Sequence, residues 1–251
     1  MSRIKTVCLV ALCLALLAVG VSAQGGPVLV NPSFEGGWHI QGRPEKEIPN
    51  GWTLADVEGS HPWCPTAPCH APEVKPNEEF VTDGRYSMRT FTTFSHGLYA
   101  IWQEQPAEPG AWYTFSCKVR IDSNPSGQLA GYVGIQPWGN GNVFERQMIW
   151  GKEEQRQLAW YTVSVTAPAY GSKIVVAMGG NNRWATKDNT LWWDQCTLTR
   201  ADGPGPEPTP QPTVTPEPCP TCVPGGSCDL EKIKKIVERA LIERPPVLWP
   251  R

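Results

Sequence analysis

From residue 79 to residue 199 apolar side chains recur at every second position in short runs, separated by turn residues. That period puts alternate residues on opposite faces of a strand and cannot lay an apolar stripe along a helix. The runs fall at 79–82, 85–93, 98–105, 112–121, 129–136, 143–150, 159–166, 173–179 and 190–199. Asp83-Gly84, Pro109-Gly110, Asn124-Pro125-Ser126-Gly127 and Gly139-Asn140-Gly141 are the clearest turns between them. Tyr113, Phe115, Cys117, Val119 and Ile121 share one face, with Thr114, Ser116, Lys118 and Arg120 opposite. Leu129, Val133 and Ile135 face inward, leaving Tyr132 and Gln136 outward. Val28-Leu29-Val30 adds a short strand ahead of the series, and the Pro-dense stretch 58–78 reads as a long loop. Many short strands with no helix between them predict an all-β antiparallel sandwich.

The closing strand, Asn189 to Arg200, carries the sharpest chemical question. Strict alternation puts Trp192, Asp194, Cys196 and Leu198 on one face and Trp193, Gln195, Thr197 and Thr199 on the other. The first set is the more apolar, so Asp194 is expected to point into the core. A buried carboxylate is costly unless it is hydrogen-bonded, paired with a cation or bound to a metal.

The two ends of the chain differ from its middle. Residues 1–23 read as a secretory leader, with Arg3 and Lys5, an apolar run from Val7 to Val21 and a Val21-Ser22-Ala23 cleavage site. No other stretch is apolar enough to span a bilayer, so a secreted or extracellular product is expected. Loss of Arg3 and Lys5 with the leader leaves 20 basic residues against 24 acidic ones. No basic cluster stands out, which argues against nucleic acid or an anionic membrane as partner. Residues 24–201 form the sandwich, and 202–226 a Pro/Thr-rich linker of extended polyproline type. In 227–251 an amphipathic helix runs from Asp229 to Glu243, with Leu230, Ile233, Ile236, Val237, Ala240 and Leu241 on one face. At about 15 residues it is marginal alone in water, so it must dock or self-associate.

Beyond the leader the chain holds Cys64, Cys69, Cys117, Cys196, Cys219, Cys222 and Cys228. Outside the cell disulfides are the default. Cys117 and Cys196 lie on inward strand faces and are expected to pair across the core; Cys64 and Cys69 close the Pro-rich loop. His61, Cys64, Cys69 and His70 also offer zinc ligand types, but the oxidising location favours the disulfide. The odd set Cys219, Cys222 and Cys228 beside the helix predicts an interchain disulfide and a homo-oligomer held through 219–243.

Several segments together resemble a CenC-type carbohydrate-binding module. They are Asn31-Pro32-Ser33-Phe34-Glu35 with Gly51-Trp52, Asp83-Gly84-Arg85-Tyr86-Ser87-Met88-Arg89, Gly110-Ala111-Trp112-Tyr113-Thr114-Phe115-Ser116 and Trp192-Trp193-Asp194, spread over residues 28–200. The resemblance implies a galactose-binding-like jelly-roll sandwich, often with one structural calcium ion tying the N-terminal segment to the last strand. The matching carboxylates are Glu35 and Asp194, with the Asp83-Gly84 turn adding backbone oxygens. Two carboxylates plus carbonyls would suit calcium, which takes several oxygens at once.

Such modules bind sugar by laying flat aromatic faces on the C–H faces of pyranose rings while polar side chains read the hydroxyls. Off the inward faces or in loops, the residues available for this are Phe94, Trp102, Tyr132, Gln136, Trp138, Trp150 and Trp184. Trp52, Trp160 and Trp192 are assigned to packing. The chain holds no serine-nucleophile elbow, zinc-protease His pair or phosphate-cradling Gly loop, and its carboxylates are too scattered to pair as a glycosidase dyad. The expectation is a secreted, non-catalytic binder of polysaccharide or glycan. The alternative is an extracellular structural or adhesive subunit assembled through the C-terminal helix and cysteines.

Overall fold

The middle of the chain folds as its alternation dictates. The computed structural model describes residues 27–59, 68–123, 126 and 128–204; the expected leader, most of the expected linker, the expected C-terminal helix and Cys219, Cys222 and Cys228 lie outside them. The described residues form twelve strands: β1 (Trp38–Ile40), β2 (Glu47–Pro49), β3 (Thr53–Asp56), β4 (Glu73–Asn77), β5 (Ser87–Thr92), β6 (Gly97–Pro106), β7 (Trp112–Asp122), β8 (Leu129–Gln136), β9 (Ile149–Trp150), β10 (Trp160–Pro168), β11 (Lys173–Asn182) and β12 (Asn189–Ala201). One five-stranded sheet has the order β10-β7-β12-β5-β4, the other β3-β6-β11-β8-β9, and β1 and β2 form a hairpin beside them. All pairings between these strands are antiparallel. The two sheets face each other as a jelly-roll β-sandwich, whose core takes Tyr113, Phe115, Cys117, Val119 and Ile121 from β7 as expected.

Four local expectations are corrected. Val28–Val30 forms no strand: the Val30 N–H donates to the Gln103 Oε1 at 2.9 Å, and Gln103 Nε2 donates back to the Val30 carbonyl at 3.1 Å. The side chain of a neighbouring strand thus supplies the pairing a ladder would have given. Residues 79–82 form no strand either, whereas β4 lies inside the supposed loop. Its Pro76 is tolerated because β4 is an edge strand. Of the run 143–150 only Ile149–Trp150 is strand, because the residues before it fold back over the sheet.

The fourth correction concerns β12. Its register against β7 shifts between Asp194 and Thr197, and Gln195 adopts a left-handed backbone with φ 48°. This β-bulge inserts one residue and inverts the parity of the strand. Leu191 and Trp193 face the core before it, and Cys196 and Leu198 after it. Trp192 therefore lies on the outer face, edge-on to Phe80 at 4.8 Å between ring centroids. Asp194 is fully buried but not in the core.

Candidate functional site

The outer face of the second sheet gathers four of the seven aromatic and amide residues expected to bind sugar. On strands, alternate residues share a face, so Ala100 and Trp102 of β6, Val175, Ala177 and Gly179 of β11, and Tyr132, Gly134 and Gln136 of β8 all point away from the core. The small residues make a floor on which rings can lie flat. A Cβ at Gly134 would stand 2.5 Å from the Trp150 ring, and one at Gly179 would stand 2.6 Å from the Tyr132 ring. Tyr132 and Trp150 meet edge to face at 4.8 Å.

This floor is roofed by the chain itself. Val143 and Met148, from the segment joining β8 to β9, bury themselves against Ala100, Val175 and Ala177, with Trp102, Phe144 and Trp150 packed around them. The segment is tied down by Gln136, whose Oε1 accepts from the N–H of Trp138 at 2.8 Å and of Asn140 at 3.3 Å. Glu145 ties it further, accepting from Asn140 Nδ2 at 2.9 Å and Asn142 Nδ2 at 3.0 Å. Tyr132 and Gln136, read from the sequence as outward and available, are outward but buried; alternation reports which face a residue takes, not what covers that face. Burial pushes the Tyr132 phenol well up, with Glu153 beside it adding to the rise and Arg183 opposing it. Trp102 and Trp150 are half-buried and pack against this second cluster.

Among the described residues, the aromatics most exposed to solvent sit at the two ends of that sheet. At one end, Phe94 in the β5–β6 loop is 68% exposed and Trp184 in the β11–β12 loop 46%. The loops are joined by a hydrogen bond from the Phe94 N–H to the Thr186 carbonyl at 2.8 Å. Phe94 holds φ 49°, a conformation costly for a bulky side chain. The nearby cations are paired, Arg183 with Glu153 at 3.4 Å and Lys187 with Asp188 at 3.5 Å. At the other end Trp138, 54% exposed, meets Tyr170, 53% exposed, at 4.7 Å. Sequence reasoning missed Tyr170; an aromatic in the Ala169-Tyr170-Gly171-Ser172 turn between two strand runs was the available signal.

The three residues assigned to calcium come together, but around N–H groups. Asp194 Oδ2 accepts from the Thr82 N–H at 2.6 Å, the Asp83 N–H at 3.0 Å and the Thr82 hydroxyl at 3.0 Å, while Oδ1 accepts from the Gln195 N–H at 2.7 Å. Glu35 Oε1 accepts from the N–H groups of Arg85 at 2.9 Å and Tyr86 at 2.7 Å. Asp83 Oδ2 accepts from the Ser33 hydroxyl at 2.7 Å. Gly84 allows the turn its φ of +72°, and a Cβ there would stand 2.5 Å from the Glu35 carboxyl carbon. Among the described residues no group of three or more His, Cys, Asp or Glu side chains could hold a metal ion. As placed, they form a clamp in which the Glu35 and Asp194 carboxylates cap the 82–86 turn, with N–H groups where the resemblance implied a cation. Added calcium or EDTA is accordingly expected to leave the melting temperature unchanged. An ion at 100 times its Kd would add about 2.7 kcal/mol, so a shift of several degrees between the two conditions would overturn this.

Cys117 and Cys196 form a disulfide with Cα atoms 4.0 Å apart. They are neighbours on adjacent strands of one sheet, not partners across the core. Cys69 is disulfide-bonded, and its expected partner Cys64 lies outside the described residues.

No family model matches the sequence, and no curated protein is significantly similar to it. Among solved structures, the chain is similar to TmCBM61 in complex with β-1,4-galactotriose, with TM-score 0.46, 15% identity and coverage of 70% of this chain and 99% of that one. It is also similar to the CBM22-1 xylan-binding domain of Paenibacillus barcinonensis Xyn10C, with TM-score 0.42, 16% identity and coverage of 71% and 97%. A family 16 carbohydrate-binding module is similar at TM-score 0.42 and 13% identity, with coverage of 68% and 98%. Neither ligand is transferred to this chain.

Proposed function

We propose that this chain is a secreted, non-catalytic module that holds neutral glycan chains on exposed aromatic rings, with Phe94 and Trp184 as the principal platform. The observation that carries this is the backbone of Phe94. A phenylalanine in the left-handed region costs on the order of 1 kcal/mol or more, and a ring 68% exposed recovers little of that through burial. The hydrogen bond to Thr186 holds the ring out beside the Trp184 loop. Rigid rings at low entropy cost, flanked by hydroxyl and carboxylate groups, suit the apolar C–H face and polar rim of a pyranose. Arg183 and Lys187 each stand within ion-pair distance of a carboxylate, which lowers the net positive charge these loops offer an acidic sugar.

Affinity electrophoresis through gels containing soluble β-1,4-xylan, β-1,4-galactan or mixed-linkage β-glucan tests this. At least one polymer is expected to retard the protein, and F94A/W184A is expected to weaken retardation at least about tenfold, roughly 1.4 kcal/mol. Unretarded migration in all three gels, or equal retardation of the variant, would remove this assignment.

A further inference from the structure

We infer that Trp138 and Tyr170 form a second glycan-binding platform, independent of Phe94 and Trp184 and at the opposite end of the same sheet, making each chain bivalent. The chemistry rests on the glycan-binding reading, but the residues are separate. β8 and β11 run antiparallel, with Leu129 opposite Asn182 and Gln136 opposite Val175. Trp184 follows the Asn182 end, while Trp138 follows Gln136 and Tyr170 precedes Lys173. With ten residues in β11, the two ends lie about 30 Å apart at the usual strand rise.

The pair is built rather than incidental. The Tyr170 N–H donates to the Pro137 carbonyl at 2.8 Å, and the Trp138 N–H donates to buried Gln136 at 2.8 Å, so both loops are locked to each other and to the sheet. Gly139, at φ +71°, lets the chain pass so close to Lys173 that a Cβ would stand 2.6 Å from its Cβ. The result is two rings 4.7 Å apart and tilted by 41°, both about half exposed.

A glycan is the occupant that fits. Two rings of this size, half exposed, offer on the order of 200 Å² of apolar surface, against about 800 Å² per partner in a stable protein interface. That matches a sugar face or two. Hydrogen-bonding groups stand alongside, in Asn140 and in the Glu104–Lys173 pair at 2.6 Å. Between the platforms the sheet face is filled by Val143 and Met148, so no continuous groove joins them and each engages its own stretch of polymer. Two linked sites raise retention on a polymer well beyond either alone.

Indole N–H signals of the 15N-labelled full chain, assigned with W138F and W184F, resolve the two ends during titration with xylohexaose, galactohexaose and a mixed-linkage glucan hexasaccharide. One of these is expected to shift both the Trp138 and Trp184 signals. F94A/W184A should leave the Trp138 titration within about twofold of its original Kd, and W138A/Y170A should do the same for Trp184 while weakening retention in gels at least tenfold. A Trp184 shift with Trp138 silent would overturn the second platform and leave the first standing. A Trp138 shift with Trp184 silent would uphold this platform and remove Phe94 and Trp184. Silence at both ends with all three sugars would overturn both. The replaced side chains are about half exposed or more, and an unchanged melting temperature confirms that each variant is folded.

Discussion

Replacing Cys117 and Cys196 together by alanine is expected to cost about 4–5 kcal/mol, lowering the melting temperature by roughly 9–18 °C. The bridge spans 79 residues of sequence, and closing a loop of that length in the unfolded chain accounts for about 4.5 kcal/mol in the chain-entropy model. Its position adds a local reason. It joins β7 and β12, neighbours at the centre of the first sheet, at the bulge where their register slips. Urea unfolding of the double variant measures the loss. A change below about 1 kcal/mol would show that the packing of Trp193 and Phe115 around the site holds the strands without it.

Asp194→Ala is expected to cost about 3 kcal/mol, or roughly 6–12 °C. It removes one acceptor for three backbone N–H groups and a hydroxyl, releasing the 82–86 turn from β12. The pH dependence has a definite direction. Burial raises the Asp194 carboxyl above its ordinary value, and the donors from Thr82, Asp83 and Gln195 offset this only in part. The folded protein therefore binds a proton at higher pH than the unfolded chain does. The extra stability from this proton linkage is fully present below the unfolded value of about 3.9 and is lost as pH rises through the folded value. Melting temperatures of wild type and variant should thus diverge as pH falls from 7 through the carboxylate range. Convergence on acidification would mean that the donors outweigh the burial.

What the residues announced in advance and what they concealed follow one division. Alternation is a local property, so β7, β8, β10 and β11 were legible to within a few residues, and with them the all-β sandwich and its core face. The inward positions of Cys117 and Cys196 were legible for the same reason. Their adjacency in one sheet was not, because strand order is a long-range choice. The extra residue at Gln195 defeats any count of odd and even positions, and it moved Trp193 into the core and Trp192 out of it. Glu35, Asp83 and Asp194 lie around one turn, but only the tertiary structure shows their carboxylates accepting from N–H and hydroxyl groups there. The aromatic platform divides in the same way. Phe94, Trp138 and Trp184 stand in loops, as the turn-rich sequence around them implied, whereas Trp102, Tyr132 and Gln136 lie on the face that looked open. Outside β12, the sequence by itself determined which strand side chains leave the core. Only the tertiary structure decided which of those reach water, because Val143 and Met148 gain more by burial on the alanine and valine floor than by exposure, and in settling there they cover it.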